Sequence, residues 1–243
     1  MLKLERQEEL LRLLADGHVV TVRRLAKQMY TSEATVRRDL KRLEEMNLVR
    51  RTYGGAVLLQ YANRTIPIDM RRHDHRGEKT AAARLAAACV QDGDVLFMDG
   101  SSTVLEMARF LQPQHRLTVV TNSVRLASVL TEQQITVYML GGQLLPEDTV
   151  CVGEFAIRMA RQFRADKLFF SCAGLREDGE ITDYSEPETA LRRVLMEQSR
   201  ERYFVCDEFK LGKTFCFHVC RTDELDGVFC STPLPPSVKF RQK

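Results

Sequence analysis

No apolar run in this 243-residue sequence approaches the ~20 residues that a membrane-spanning helix needs. The first ten residues, MLKLERQEEL, are too charged for the apolar core of a secretory signal. A disulfide framework is also missing. The cysteines (Cys89, Cys151, Cys172, Cys206, Cys216, Cys220 and Cys230) are odd in number, and several lie inside apolar runs. They read as free thiols in a reducing compartment. These absences point to a cytoplasmic protein with no membrane segment.

Net charge is small as well, 36 Lys/Arg against 33 Asp/Glu, but it is unevenly spread. Residues 1–60 carry 12 Lys/Arg against 8 Asp/Glu, residues 61–80 carry 5 against 3, and residues 81–243 carry 19 against 22. A small basic module ahead of a larger acidic one suggests a nucleic-acid contact at one end and a different task at the other.

The basic module reads as three helices and a hairpin. Residues 4–15 place Leu10, Leu11 and Leu14 on one side, and DGH (16–18) stops the helix. Thr21 is a candidate N-cap for TVRRLAKQM, where Val22, Leu25, Ala26 and Met29 repeat with helical spacing. Ser32 caps SEATVRRDLKRLEEMN, Glu33 suits the positive helix start, and Val36, Leu40 and Leu43 form the buried stripe. The outer face then carries Ala34, Thr35, Arg37, Arg38, Lys41 and Arg42. Two short helices joined by a tight turn, the second with a basic outer face, describe a helix-turn-helix. Arg can bond guanine bidentately, and Thr or Ala can meet a thymine methyl. In LVRRTYGGAVLL, Gly54-Gly55 between β-prone stretches reads as a hairpin wing with Arg50, Arg51 and Tyr53 on its rim, suited to phosphate and minor-groove contact.

ERQEELLRLL, TVRRLAKQM and SEATVRRDLKRLEEMNLVRRTYGGAV resemble the N-terminal winged helix-turn-helix of the DeoR family of bacterial transcriptional regulators. TVRRDL followed by R-x-YGGA is the specific part, over about the first quarter of the chain. Asn47 stands where that family usually has Gly; both suit a helix C-terminus.

Residues 60–77 lack a clean period and read as a linker between a DNA-binding domain (1–59) and a larger domain (78–243). His73, Asp74 and His75 there have no further ligand at useful spacing for a metal, so a polar linker is the reading. From Glu78 helices and near-continuous apolar strands alternate: strands near 94–99, 117–122, 135–142, 167–174 and 202–207, shorter β stretches near 214–220 and 227–230, and helices between them. This is an α/β class with a mainly parallel sheet covered on both faces. The polar and Gly-rich residues follow the strands: Asp99 to Thr103, Thr121-Asn122, Gly141-Gly142, Ala173-Gly174 and Asp207 to Lys213. In such sheets ligands bind outside the carboxyl ends of the strands. Lys210 and Lys213 add positive charge, and Ser101, Ser102 and Thr103 open a helix whose N–H groups favour an anion. Hydroxyl-binding groups beside a cationic corner suit a phosphorylated sugar or polyol.

DGSST, VVTNS, MLGG, DKLFFSCAG, PETALRRVLM and CDEFKLGK are similar to the DeoR-family sensor domain. That resemblance, which now covers nearly the whole chain, implies a fold of the ribose-phosphate-isomerase and CoA-transferase type. It also implies effector contacts at Asp99, Ser102, Thr103, Thr121, Asn122, Gly141, Gly142, Gly174, Glu188, Asp207 and Lys210. Two departures stand out: Ser101 where the family favours Gly, and Glu208-Phe209 where it favours small polar residues.

The expected function is a DNA-binding regulator, a repressor of a sugar or polyol catabolism operon, released from its operator by a phosphorylated effector. It needs no cofactor, and it works as a dimer or higher homo-oligomer because a single winged domain offers a small interface. Two other functions fit parts of the sequence. An isomerase-like sheet with Asp99, Glu188, Asp207 and Lys210 allows proton transfer on a sugar phosphate, although no histidine falls in a strand-end loop to activate Ser101 or Ser102. Cys216, His218 and Cys220, placed on one strand face, allow a metal- or redox-responsive regulator.

Overall fold

Two hydroxyl side chains start the helices of the N-terminal part. Thr21 accepts a hydrogen bond from Arg24 N at 3.3 Å and Ser32 accepts one from Thr35 N at 3.2 Å. Each satisfies a donor that the first helical turn leaves orphaned. The computed structural model describes residues 3–14, 20–46, 48–52, 54–58, 68–112, 116–236 and 238. They form two compact units, Met1–Ile66 and Pro67–Lys243. Asn47, Tyr53, His115, residues 60–67 and the side chain of Arg50 lie outside the described residues.

In the first unit, α1 (Lys3–Leu13), α2 (Val22–Gln28) and α3 (Glu33–Glu45) pack with a three-stranded sheet of β1 (Val20–Thr21), β3 (Gly55–Leu58) and β2 (Val49–Thr52) in that order. Leu10, Leu14, Leu25, Val36, Leu40 and Leu43 are fully buried, the stripes that the spacing predicts. β2 and β3 form the expected antiparallel hairpin, closing at Thr52 opposite Gly55. The glycine pair has two separate uses. Gly54 takes φ +85°, and a Cβ on Gly55 would lie 2.5 Å from the carbonyl oxygen of Val20 in β1. One buried charge escaped the sequence reading. Asp39 points inward from α3 and receives Arg6 of α1 through Nε at 2.5 Å and Nη2 at 3.2 Å.

The second unit is built on six parallel strands in the order β14 (Gly227–Cys230), β12 (Ser199–Cys206), β9 (Ala165–Phe170), β4 (Val95–Met98), β5 (Thr118–Thr121), β6 (Thr136–Met139). Alternation along the strands divides the core. Leu96, Met98, Phe169 and Val205 face α5 (Arg76–Ala87), α6 (Ser102–Leu105) and α7 (Val124–Glu132), whereas Phe97, Phe170 and Phe204 face α8 (Glu154–Ala160) and α9 (Glu186–Glu197). The chain lays down β4, β5 and β6 outward, then returns to β9 on the other side of β4. The order therefore reverses between β4 and β9, where an open α/β sheet leaves a crevice beyond its carboxyl ends. At the opposite edge, Lys167 and Asp94 close the two strands with a buried ion pair at 2.6 Å.

Three features differ from the sequence expectation. STVLEMARFL is α6 followed by a tighter 3-10 turn over Glu106–Arg109. The antiparallel hairpin β7 (Gln143–Leu145) and β8 (Val150–Val152), and the strands β10 (Gly174–Leu175) and β11 (Glu180–Asp183), were not expected; β11 pairs with β13 (Phe217–Arg221), the β stretch read near 214–220, in a small antiparallel sheet apart from the main one. Part of the stretch read as linker is helix α4 (Ile68–His73), within the second unit, with Ile68 buried and its N–H bonded to Glu147 O at 2.9 Å.

Replacing Arg6 with Met leaves Asp39 buried without its guanidinium, and should cost about 3–5 kcal/mol of first-unit stability. Denaturant unfolding, followed by hydrogen exchange of the α3 amides, reads this directly. A loss under 1 kcal/mol would mean that Asp39 finds another partner.

Candidate functional site

The first unit presents a basic face. Ala34, Arg37, Arg38, Lys41 and Arg42 are exposed along α3, with Ser32 and Thr21 exposed at the two helix starts and Thr35 half-buried. Ser32 and Thr35 also share a hydroxyl contact at 2.9 Å, which orders the first turn. The cations are not equivalent. Arg37 reaches back to Glu33 at 3.2 Å, and Arg51 is held by Glu44 through its Nε at 2.5 Å and its N–H at 3.0 Å. Arg38 and Arg42 instead border a cavity of about 400 Å³ together with Arg6 and Asp39.

The second unit gathers buried charge at the β4–β9 crevice. Asp99, just past β4, has its N–H on Phe169 O at 3.1 Å. Its carboxylate accepts from Ser101 N at 3.0 Å, Ser171 N at 3.2 Å and Arg192 Nε at 2.8 Å. Arg192 of α9 then donates to Asp183 at 2.8 Å and to Glu188 at 3.0 Å. One buried guanidinium thus serves three buried carboxylates. Burial opposes its charge, but the surrounding acids outweigh that and hold its pKa up. Glu188 is pushed up to about 7, first by burial and then, against the pull of Arg192, by Asp148 and Asp183. Tyr184 beside them is also raised by burial.

The loop after β12 adds the cation. Asp207 is buried and accepts from Phe209 N at 3.1 Å, which folds the tight turn Glu208–Lys210. Lys210 Nζ then reaches Thr103 Oγ1 at 3.2 Å and Ser171 Oγ. Lys79 of α5 is buried nearby, donating to Asp74 O at 2.7 Å and to Arg71 O. Its pKa falls to about 8, through burial first and then the charge of Lys210. Among the buried oxygens of the second unit that have no hydrogen-bond partner are Asn122 Oδ1, just past β5, Asp148 Oδ2 in the turn between β7 and β8, and Thr189 Oγ1 on α9. Asn122 commits only its amide, to Cys151 O at 3.0 Å.

The residues picked out from the sequence divide accordingly. Asp99, Thr103, Glu188, Asp207 and Lys210 belong to this crevice, with Ser102 buried beside Thr103. Thr121, the last residue of β5, holds the turn that follows by accepting from Ser123 N at 3.1 Å. Gly141 and Gly142 are exposed beyond the edge strand β6, and a Cβ on Gly142 would lie 2.4 Å from Val152 O. Gly174 packs on the Lys213 carbonyl in the same way, at 2.4 Å, so it admits backbone rather than leaving room for a ligand; the Lys213 side chain is exposed. Ser101, where the family favours Gly, has extended backbone and caps α6 by accepting from Val104 N at 3.2 Å. The glycine the loop requires is Gly100, where a Cβ would fall 2.1 Å from Val150 Cγ1.

Two expectations about other chemistry change. A register shift at Ile181/Thr182 breaks alternation, leaving Cys216 and His218 exposed and Cys220 buried, so the three do not share a face. Among the described residues, no three His, Cys, Asp or Glu groups are placed to hold a metal. A histidine does meet a strand-end loop: His75 stacks on Phe209, ring centroids 3.4 Å apart. Sequence reading missed Arg192, Asp183, Asp148 and Lys79. The visible signal was a charge on an apolar helix face, since Arg192 lies on the buried stripe with Glu188, Leu191 and Leu195.

Comparison with known proteins bears on both units. Residues 74–232 match the family described as DeoR C terminal sensor domain, and residues 6–77 match the DeoR-like helix-turn-helix domain. The sequence is 32% identical over 223 residues to the HTH-type transcriptional repressor GlcR of Bacillus subtilis (strain 168), covering 91% of this chain and 86% of the relative. It is 29% identical to the glycerol-3-phosphate regulon repressor of Escherichia coli (strain K12), over 98% and 94% of the two. Among solved structures it is similar to ribose 5-phosphate isomerase A from Methanocaldococcus jannaschii, with TM-score 0.43 and 16% identity over 57% and 55% of the chains.

The raised Glu188 gives a pH signature. Between about 4.5 and about 7 the folded chain keeps a proton on Glu188 that the unfolded chain has released, so this group's contribution to stability declines as pH rises through that window. Stability of the wild type relative to Glu188→Gln, from denaturant melts across this range, should therefore fall with increasing pH. A flat difference would show Glu188 ionising normally.

Proposed function

The chain belongs to the DeoR family of transcriptional regulators, and from that premise we propose that it is a repressor acting in the cytoplasm. Its first unit binds an operator, and its second binds a phosphorylated sugar or polyol that releases the DNA. The observation that carries the sensor half is the cation Lys210 held on Thr103 and Ser171 where the strands end, with Asn122 Oδ1 past β5 buried and without a protein partner. Unpartnered buried oxygens are costly unless a ligand's hydroxyls complete them, and a phosphate suits the cation. No helix among the described residues is long and apolar enough to cross a membrane.

In the DNA half, α3 enters the major groove with Ala34, Thr35, Arg37, Arg38, Lys41 and Arg42 toward the bases and phosphates, while Ser32, Thr21 and the wing residues Arg50, Arg51 and Tyr53 hold the backbone. Arg38 and Arg42 are the base readers in this reading, because Arg37 and Arg51 already have carboxylate partners. In the sensor half, Asn122, Thr103 and Lys210 touch the effector directly, with Ser102 beside them. Asp99, Glu188 and Asp207 position the loops, and Thr121, Gly141, Gly142, Gly174 and Lys213 shape the rim. The protein acts as a homo-oligomer on paired half-sites. Repressor release requires the effector to prefer the DNA-free form, with reciprocal coupling. An isomerase reading is not favoured: Ser101 commits its hydroxyl to capping, and the relatives named above are regulators.

Two measurements check this. Arg38→Ala should weaken operator binding by roughly 1–3 kcal/mol with little effect on random DNA if it reads a base; equal losses on both would make it a phosphate contact. A thermal-shift screen of phosphorylated sugars and polyols should yield a compound that releases the operator from the wild type, and Lys210→Ala should still bind operator but ignore that compound. A normal response in the variant would move the pocket elsewhere.

A further inference from the structure

Two cysteines end adjacent strands of the parallel sheet. Cys206 is the last residue of β12 and Cys230 the last of β14, and the register of the two strands sets them directly opposite each other. Both enter the same core cluster, on the face that carries Phe170 and Phe204. Neighbouring strands lie about 4.8 Å apart, inside the roughly 4.4–6.8 Å between Cα atoms that a disulfide spans. The side chains of parallel neighbours keep about that spacing, somewhat wider than the ~3.8 Å between Cβ atoms of a relaxed bridge. A bond between these sulfurs therefore needs no rearrangement of the sheet, but it draws two strand ends together and stays easy to reduce.

The pair is also unequal in the way a two-thiol reaction needs. Cys206 is fully buried, whereas Cys230 lies on the edge strand and keeps 8% of its surface exposed. The Cys230 thiol is pushed down to about 6 by a hydrogen bond from Cys206, against burial and with help from Thr232 and Ser231. The same hydrogen bond, with burial, holds the Cys206 proton on. Cysteines elsewhere in the unit lack this arrangement. Cys220 stands opposite Ile181 and Cys151 opposite Leu144, Cys172 lies beyond β9, and burial pushes the thiols of Cys172 and Cys220 up.

We propose that Cys206 and Cys230 are a redox site, which a hydroperoxide converts reversibly to a disulfide. The Cys230 thiolate attacks the peroxide; an S–O bond forms, the O–O bond breaks, and the departing oxygen takes a proton from solvent. Cys206 sulfur then attacks Cys230 sulfur. The S–S bond forms, the S–O bond breaks, and the hydroxide leaves as water with the Cys206 proton. Two thiols are oxidised and one peroxide is reduced; thiols of a reducing compartment reopen the bridge. The consequence is local. Asp207 follows Cys206 and starts the turn Glu208–Lys210, and Glu208 N donates to Ser231 Oγ, next to Cys230, at 3.3 Å. Drawing the strand ends together shifts this turn, so oxidation adds an input besides any effector.

The test oxidises the full-length reduced protein with hydrogen peroxide, denatures it in iodoacetamide and maps the peptides by mass spectrometry. The expected map joins Cys206 to Cys230, with five of the seven cysteines alkylated and all seven recovered after dithiothreitol. Exposed Cys216 is the internal reference, and Cys230 should be consumed before it. Cys206→Ser should leave Cys230 as a sulfenic acid that dimedone traps, and Cys230→Ser should leave Cys206 unmodified. Hydrogen exchange over residues 207–210 should differ between reduced and oxidised wild type, but not in Cys230→Ser. A bridge through any other pair, a link between two chains, or oxidation of Cys216 with Cys206 and Cys230 both free overturns the proposal, and the wild-type map decides this without a variant. Unchanged exchange in a bridged chain overturns its reach into the turn.

Discussion

A guanidinium with three carboxylates around it, buried where the sheet order reverses, is the constraint on which the sensor unit depends. Taking those four charges from water costs several kcal/mol each before any attraction is counted. The arrangement persists because Arg192 offers its donors in a fixed planar fork, and each meets a different acid. The acids come from three elements: Asp99 after β4, Asp183 at the end of β11 and Glu188 on α9 itself. Arg192 therefore fixes the sheet, the small antiparallel sheet and the helix relative to one another.

The first unit solves the same problem on a smaller scale. Asp39 lies on the inward face of α3, and Arg6 neutralises it from α1. The pair sets the rotation of α3 about its axis, because only one rotation puts Asp39 under Arg6 while Leu40 and Leu43 stay buried. The same rotation points Arg38, Lys41 and Arg42 outward. A buried acid one residue from an exposed base is thus part of how the basic face is aimed.

Much of this was legible in the sequence, and the reason is periodicity. Val36, Leu40 and Leu43 announce α3, and LFMD and VVTN announce strands with polar ends that do meet at one edge. Caps at Thr21 and Ser32 were readable because their chemistry is local. Contacts joining distant residues were not. Arg192 to Asp99 spans 93 positions and Arg71 to Asp148 spans 77, and no local pattern marks such partners. α4 escaped because six residues with Pro67 just ahead show too little period. The β7–β8 hairpin escaped because strands of three residues cannot display alternation. Gly100 stayed hidden for a related reason: a family pattern marks where glycine is usual, but the need for glycine comes from the neighbour in space.

That neighbour has a further consequence. Gly100 and Val150 come from separate elements, yet the missing Cβ of one and the Cγ1 of the other would lie only 2.1 Å apart. The two positions in effect share one volume, and the chain has assigned all of it to the valine. Drift at the two sites is therefore coupled: a side chain at 100 meets the methyl of residue 150 first, and is admitted only as that methyl shifts or is lost.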